Sequence, residues 1–234
     1  MSAESPIHVD NLIEGKEISN LFMSPSFKGN LNYLISKNPD SDYFYEDGFV
    51  MYRKFNRKVY KTTFNKSVDL FSTSLGKMGI KRHFILLKMG YFPLIDLHIH
   101  PPDPSTSRYS YLKYIPSHQD LIALNSEKKG VKEKTGFDVT PISCIALPVG
   151  EENVKMTIFQ EQKMTDPHSS LFKLYPKDIT CCRSENEIIE TLNCYGYKAM
   201  ILNYKFNSTE SQSLKNLQSF EFLIRPSIKN RTNV

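Results

Sequence analysis

Three absences narrow the classes of protein to which this chain can belong. No stretch approaches the roughly 20 consecutive apolar residues of a membrane-spanning helix, and residues 1–20 lack the apolar core of a secretion signal. The four cysteines form no Cys-x-x-Cys pair and no spacing that predicts a disulfide framework. We therefore expect a cytoplasmic protein with no membrane partner.

The chain also has no strong excess of charge of either sign. Its 30 basic and 25 acidic residues leave a net charge of +5, and the two signs are interspersed. A nucleic-acid-binding surface usually needs a basic patch or stripe, so we expect no nucleic-acid partner. The hydrophobic fraction of 40% instead predicts a folded core in a chain of 234 residues.

Hydrophobic periodicity predicts an α/β fold, with a mixed central β-sheet flanked by helices. The expected strands cover residues 48–64 (a hairpin), 83–89, 92–99, 142–149, 154–160, 197–206 and 220–224. The expected helices cover residues 30–36, 68–78, 119–126 and 185–193.

The residues that carry chemistry begin on the strand predicted at 92–99. Successive side chains of a strand point to opposite faces, so Asp96, His98 and His100 share one face and Leu97 lies on the other. Two histidines side by side on a rigid strand predict part of a metal site, and zinc enzymes typically use three protein ligands. The histidine pair alone is weak evidence, because histidines on half-buried strands are usually structural.

A second cluster follows at Ser117-His118-Gln119-Asp120, directly before the apolar residues 121–124. This pattern fits a capping box, in which a serine hydroxyl and a carboxylate bond free backbone donors of the first helical turn. The same carboxylate is a candidate third metal ligand, since it follows the strand histidines in order. Both interpretations stay open at the level of sequence.

Taken in order, these residues resemble the JAMM family of zinc metalloproteases, also called MPN domains. The family has a Glu near an early strand, then His-x-His-Pro closing a later strand, then Ser-x-x-Asp at a helix start. Here the last two motifs are His98-Ile99-His100-Pro101 and Ser117-His118-Gln119-Asp120. The resemblance covers about residues 44–160. It implies a cytidine-deaminase-like MPN domain at 41–165, an N-terminal extension at 1–40, and a C-terminal α/β extension at 166–234 packed on the same domain.

The resemblance also implies a zinc centre and a role for each matched residue. His98, His100 and Asp120 would bind Zn²⁺, with water as the fourth ligand. Glu46 matches the family's glutamate and would act as general base, and Ser117 would donate a hydrogen bond to the developing oxyanion. The implied activity is hydrolysis of a peptide or isopeptide bond of a ubiquitin-like protein. Oligomerisation is left open.

One departure from the family pattern is the spacing between the two motifs. Nineteen residues separate His100 from Asp120, more than the family usually has. The extra residues fall in the segment 101–116, which is rich in proline and tyrosine and is expected to be a loop. An insertion of this kind costs little entropy. It could form a lid over the metal or pack on the domain.

The second departure concerns the glutamate. Gly48 follows Glu46 one position sooner than in the family. Glu46 could equally be an exposed residue of an acidic turn, so Asp47 and Asp69 are alternative candidates for the base. Asp96, on the face of the histidines, could orient a ligand imidazole or be an ordinary strand residue.

Three other interpretations stay open. The fold of this family also serves as a non-catalytic scaffold or zinc-binding interaction domain. His-x-His also opens the sites of amidohydrolase and PHP-type barrels, but those need several later histidines and more chain than follows here. A second metal site is conceivable at Cys181, Cys182, Cys194 and His168. However, adjacent cysteines lack the usual spacing of a zinc site.

Overall fold

The computed structural model describes residues 11–36, 47–55, 57–69, 72–74, 77–100, 114–149, 153–162, 169, 172–205 and 216–227. The strands in these ranges are β1 Asn11–Ile13, β2 Gly48–Lys54, β3 Tyr60–Asp69, β4 Ser72–Ser74, β5 Tyr91–Ile99, β6 Phe137–Val139, β7 Ile142–Pro148, β8 Asn153–Glu161, β9 Tyr197–Lys205 and β10 Phe222–Pro226. The helices are α1 Gly15–Met23, α2 Pro25–Ser36, α3 Lys77–Lys88, α4 His118–Thr135, α5 Tyr175–Cys181 and α6 Glu185–Cys194, with a 3₁₀ turn at Asn216–Ser219. None of these described helices has both the length and the apolar character needed to cross a bilayer.

Seven of the strands form one mixed sheet in the order β4-β3-β2-β5-β7-β8-β9. Within it, β5 and β7 run parallel, and the other neighbours run antiparallel. The expected α/β class with a mixed central sheet is confirmed, and its identity as an MPN fold stays a prediction. The described strands form an open sheet with β4 and β9 at its edges, which argues against the barrel interpretation.

Strand β5 lies in the middle of this sheet, between β2 and β7. A strand with helices or loops over both faces needs apolar residues on both, which explains its nearly continuous apolar sequence. Leu94, Ile95 and Leu97 are fully buried. The strand is therefore a rigid support for the polar side chains near its carboxyl end.

A second, smaller sheet joins the two ends of the described chain. Its order is β1-β10-β6, with β10 antiparallel to both neighbours. Phe22 and Phe27 of α1 and α2 and Phe222 of β10 belong to the same buried cluster as the central strand. Residues from both expected extensions thus contribute to one core. The domain boundaries proposed from the sequence stay predictions.

The expectations for one interval, residues 68–89, are wrong. A helix is expected at residues 68–78, but the described part of this stretch holds the end of β3, then β4 and the first residues of α3. A strand is expected at residues 83–89, but residues 83–88 lie in α3. Ile80, Phe84 and Leu87 recur at helical spacing. A short apolar run does not distinguish helix from strand by itself, and the helical spacing here extends across the gap between the two expected elements.

The other expected strands are confirmed with shifted ends, whereas two helices are longer than expected. The hairpins β2–β3 and β7–β8 form as predicted. Helix α2 begins at Pro25, and α4 continues through the mixed-charge residues 127–134 to Thr135. Gly136 ends α4 because it adopts a left-handed conformation, with φ of 73°.

Strand β2 approaches β5 closely at Gly48, whose partner across the ladder is His98. A Cβ atom at position 48 would lie 2.4 Å from the carbonyl oxygen of Leu97 and 3.1 Å from His98 Cα. Both contacts are with backbone, which cannot move aside as a flexible side chain can. Glycine at this position therefore allows β2 to pack against the strand that carries the histidines.

We expect Gly48→Ala to lower the free energy of unfolding by about 1–3 kcal/mol, because the added methyl group overpacks the β2–β5 contact. The measurement is urea denaturation followed by circular dichroism. Gly29→Ala is the matched control, since a Cβ there meets nothing within 4 Å in helix α2. That control should be neutral or stabilising. Equal stabilities of the two variants would contradict the close approach.

Candidate metal centre

Strand β5 brings His98 and His100 together on one face, as its alternation predicts. Their Nε2 atoms lie 3.1 Å apart and their ring centroids 4.9 Å apart. The intervening Ile99 belongs to the buried cluster on the other face. The backbone N–H of His100 donates to the carbonyl of Ala146 at 3.1 Å, which extends the pairing with β7 to the last histidine.

Helix α4 brings Asp120 to the histidines in its first turn. Asp120 N–H donates to Ser117 Oγ at 3.2 Å, and Ser117 N–H donates to Asp120 Oδ2 at 2.6 Å, so the capping box is present. Asp120 Oδ1 lies 3.2 Å from His98 Nε2, and Oδ2 lies 3.8 Å from His100 Nε2. The capping interpretation is therefore confirmed, and the same carboxylate also faces both histidines.

The geometry of these three side chains fits a metal ion. One ligand atom from each, on His98, His100 and Asp120, lies within 4.8 Å of the other two. Ligand bonds of about 2.0–2.2 Å place two ligands of a tetrahedral zinc about 3.3 Å apart. The separations of 3.1 Å between the histidines and 3.2 Å from His98 to Asp120 are close to that value. Within the described ranges this is the one group of three such side chains.

The cluster is shielded but reachable from solvent. The side chains of His98, His100 and Asp120 are 10%, 14% and 17% exposed. Burial by itself would raise the pKa of Asp120. The charge and hydrogen bond of His98, with the charge of His100, outweigh burial and hold that pKa well below its usual range. Asp120 is therefore an anion near neutral pH, as a metal ligand must be.

A cavity of about 450 Å³ opens beside the cluster, within the size range of small-ligand sites. Helices α3 and α4 and the strands β2, β5, β7 and β8 form its walls. The polar side chains that line it are His83, Asp96, His98, Asp120, Ser126, Glu127 and Ser143. Apolar residues close the remaining walls, including Val50, Ile80, Phe84, Leu124 and Phe159.

Two further carboxyl groups, those of Asp96 and Glu127, face this cavity. Burial raises the pKa of both. The charge of Asp96 raises the pKa of Glu127 further, while on Asp96 the charge of His98 acts against that of Asp120. The pair therefore retains a proton more readily than exposed carboxyl groups do. The orienting role of Asp96 toward a histidine stays a prediction.

Residues of the C-terminal segment support the start of α4. The buried Tyr175 hydroxyl donates a 2.7 Å hydrogen bond to the carbonyl of Pro116. The ring of Phe172 lies nearly parallel to His118, with centroids 6.3 Å apart. Since Pro116 directly precedes the N-cap residue, these contacts fix the backbone from which Asp120 projects.

Of the two residues predicted to be catalytic, the structure describes Ser117 but not Glu46. Glu46 lies outside the described residues. The chain is described from the next residue, Asp47, whose carbonyl accepts a 2.9 Å hydrogen bond from Ile99 N–H. Ser117 is exposed, and its hydroxyl oxygen accepts from the Asp120 N–H, which leaves the hydroxyl proton to be donated elsewhere. The roles of Glu46 and Ser117 stay predictions.

The alternative candidates for the base lie in different parts of the sheet. Asp47 is buried directly before β2, and Gly48 next to it pairs with His98. Asp69 ends β3 and pairs with Ser72 of β4, the edge strand. The structure therefore places Asp47 at the carboxyl end of β5 and Asp69 toward the sheet edge.

The cysteine group is not assembled as a metal site in the described part of the chain. Cys181, Cys182 and Cys194 are free thiols. Cys182 Sγ lies 3.2 Å from Thr191 Oγ1. The fourth member of the conceivable group, His168, lies outside the described residues.

Three residues that line the cavity beside the histidines were not expected from the sequence. Glu127 follows Asp120 by two helical turns, and this i,i+7 spacing was an available signal. His83 falls in an interval expected to be a strand, and its position on helix α3 directs it to the cavity. Ser143 reaches the cavity because the parallel pairing of β5 and β7 puts it beside Asp96. No local sequence pattern indicates the parallel pairing of β5 and β7.

In comparisons with protein-family models, with curated proteins and with solved structures, nothing matches this chain.

We expect Tyr175→Phe to weaken binding of a divalent metal ion at this cluster roughly fivefold, because the loss of one buried hydrogen bond frees the cap that positions Asp120. The measurement is competition with a chelating indicator. Tyr195→Phe is the matched control, because Tyr195 lies in the same buried cluster as Tyr175. Its hydroxyl donates to Asp178 rather than to the start of α4. Equal metal affinities of the two variants would show that Tyr175 does not position the ligand.

Proposed function

We propose that this protein is a zinc-dependent metallohydrolase that cleaves a peptide or isopeptide bond of a ubiquitin-like protein. One observation carries the proposal. Two histidines on the central strand and an aspartate at a helix start converge to within 4.8 Å beside a cavity that a substrate segment could enter. Three protein ligands that leave a further position open are typical of catalytic zinc sites.

His98, His100 and Asp120 are the residues proposed to hold the metal. The donor set of two imidazoles and one carboxylate suits Zn²⁺, although other divalent ions accept the same ligands. A zinc ion there would act as a Lewis acid and would make a neighbouring water acidic enough to ionise near neutral pH. The capping box and the β-ladder hold the ligands in place before a metal binds, so little ordering is left to binding.

Glu46 is the proposed general base, on the strength of the sequence resemblance to the JAMM family. It directly precedes Asp47, whose carbonyl bonds to the strand between the two histidines. Its carboxylate would take a proton from water and deliver it to the leaving amine. The Ser117 hydroxyl, at the same helix start as Asp120, would donate to the oxygen that becomes negative.

The substrate class rests on the same resemblance. The cavity beside the ligands is about 450 Å³, which accommodates a short extended segment but not a folded domain. A substrate of this kind would therefore bind through a flexible tail. A non-catalytic zinc-binding interaction domain is the second candidate, because the ligand cluster alone does not require a base.

Zinc binding is tested by metal analysis of purified wild type and of His98→Ala and Asp120→Asn. Asparagine at position 120 can still accept the Ser117 hydrogen bond, so the helix cap is largely kept. We expect one zinc per wild-type chain and affinities more than about 100-fold weaker in both variants. Asp138→Asn is the control, because Asp138 pairs with Lys132 near the other end of α4, away from the cluster. Stoichiometric zinc in the His98 and Asp120 variants would refute the ligand set.

Hydrolysis is tested on fusions and isopeptide conjugates of ubiquitin-like proteins. We expect Glu46→Gln to lower kcat by about 10²–10⁴-fold with zinc retained, because the proton acceptor is lost. Glu127→Gln is the comparison, since that carboxyl group faces the same cavity. A larger loss in the Glu127 variant would transfer the role of base to it. Stoichiometric zinc without cleavage of any conjugate would favour the interaction domain.

Ser117→Ala separates catalysis from helix capping. We expect kcat to fall by about 10²–10³-fold if the hydroxyl stabilises the oxyanion. Loss of a cap also costs stability, about 1 kcal/mol. Ser184→Ala controls for this, because Ser184 caps α6 with the same 3.2 Å bond to the backbone three residues on. Equal activities of the two serine variants would exclude a catalytic hydroxyl.

A further inference from the structure

A second cavity lies near the other end of the central strand. Its volume is about 460 Å³. Phe92 lines it at the start of β5, whereas His98 lies six residues further along the strand, or about 20 Å at the rise of an extended chain. The ends of α3 and α4 and the start of β6 complete its walls. The lining residues are Phe55, Phe84, Leu87, Lys88, Gly90, Phe92, Lys134, Thr135 and Phe137.

The walls of this cavity are aromatic. Phe55, Phe92 and Phe137 pack on one another with centroids 5.4–6.2 Å apart, in tilted or edge-to-face arrangements. Phe84 contributes from α3 and is 37% exposed. Rings held at these angles present edges and faces on which a further flat ring can pack favourably.

The charged groups of the lining are basic. Lys88 lies in the last turn of α3 and Lys134 in the last turn of α4. Lys134 Nζ lies 5.6 Å from the centroid of the Phe84 ring. Neither lysine forms an ion pair with another described residue, whereas Lys132 on the same helix pairs with Asp138. The two ammonium groups are therefore available to an anion.

The helix ends reduce the positive charge that the two lysines give this cavity. Each helix C-terminus contributes a partial charge of roughly −0.5, and two such ends lie here. Two lysine charges exceed this sum by about one positive charge. The cavity is thus best matched by a ligand with a single negative charge.

We propose that this cavity is a binding site for a small aromatic monocarboxylate. The ring enters between the phenylalanine side chains, and the carboxylate remains at the rim between Lys88 and Lys134. The site is separate from the metal ligands and does not depend on the proposed hydrolase activity. Phe84 also lines the cavity beside His98 and Asp120, so the two cavities share one wall.

The test is calorimetric titration of the purified full chain with 2-naphthoate. A ligand of this size at ordinary ligand efficiency is expected to bind with a Kd on the order of 100 µM. The neutral analogue 2-naphthalenemethanol is expected to bind about tenfold more weakly. His98→Ala is expected to bind 2-naphthoate as wild type does, so failure of the metal centre and failure of this site are distinguishable.

Two double variants test the role of the lysines. We expect Lys88→Gln with Lys134→Gln to weaken naphthoate binding about tenfold. Lys81→Gln with Lys129→Gln removes the same charge from the same two helices at exposed positions outside the lining, and is expected to leave the Kd unchanged. Equal losses in both pairs would overturn the site, because they would indicate attraction by net charge alone.

Amide chemical shifts locate the bound ligand. Gly90 lies in the lining and Gly136 beside it, and their amide signals are expected to move on titration, whereas that of Gly48 near the histidines stays fixed. Absence of saturable binding at millimolar naphthoate would overturn the proposal. Binding of an acidic phenylalanine-containing peptide at these glycines, without binding of naphthoate, would also overturn it and would assign the cavity to peptides.

Discussion

The contact between Asp120 and His98 joins the central strand to the first turn of α4. One carboxylate oxygen lies 3.2 Å from the histidine, and the other accepts the N–H of Ser117 at 2.6 Å. A side chain held from both sides has little rotamer freedom left to lose. The cluster is therefore arranged by the fold itself. A change that frees the helix start alters the site even where it touches no ligand.

The position of the contact between Asp120 and His98 follows from the parallel pairing of β5 and β7. Parallel neighbours require a crossover, and here the crossover contains α4, which runs back along the sheet. Its start thus meets the carboxyl end of β5, where open α/β sheets usually bind ligands. The opposite end of α4 contributes Lys134 to the second cavity. One strand and one helix therefore connect a carboxylate-rich cavity to a basic, aromatic one.

Much of the fold could be predicted because it depends on local pattern. The hairpins β2–β3 and β7–β8 consist of short runs rich in apolar and β-branched residues with turn residues between them, and Ser184 marks the start of α6. The interval 68–89 failed because its short apolar runs suit either period, and packing decided between them. Helix α1 was not expected, and its buried face is stabilised by contacts with residues far along the chain, including the 3₁₀ turn at Asn216–Ser219.

The sequence by itself determined the elements of the candidate site. Strand alternation put His98 and His100 on one face, and the cap pattern fixed Asp120 at a helix start, because both depend on residues within four positions. Only the tertiary structure decided that the two elements meet, with nineteen residues between them. It also brought Glu127 and Ser143 to the same cavity. Such contacts depend on how distant segments pack, and packing energy is not encoded in any local period.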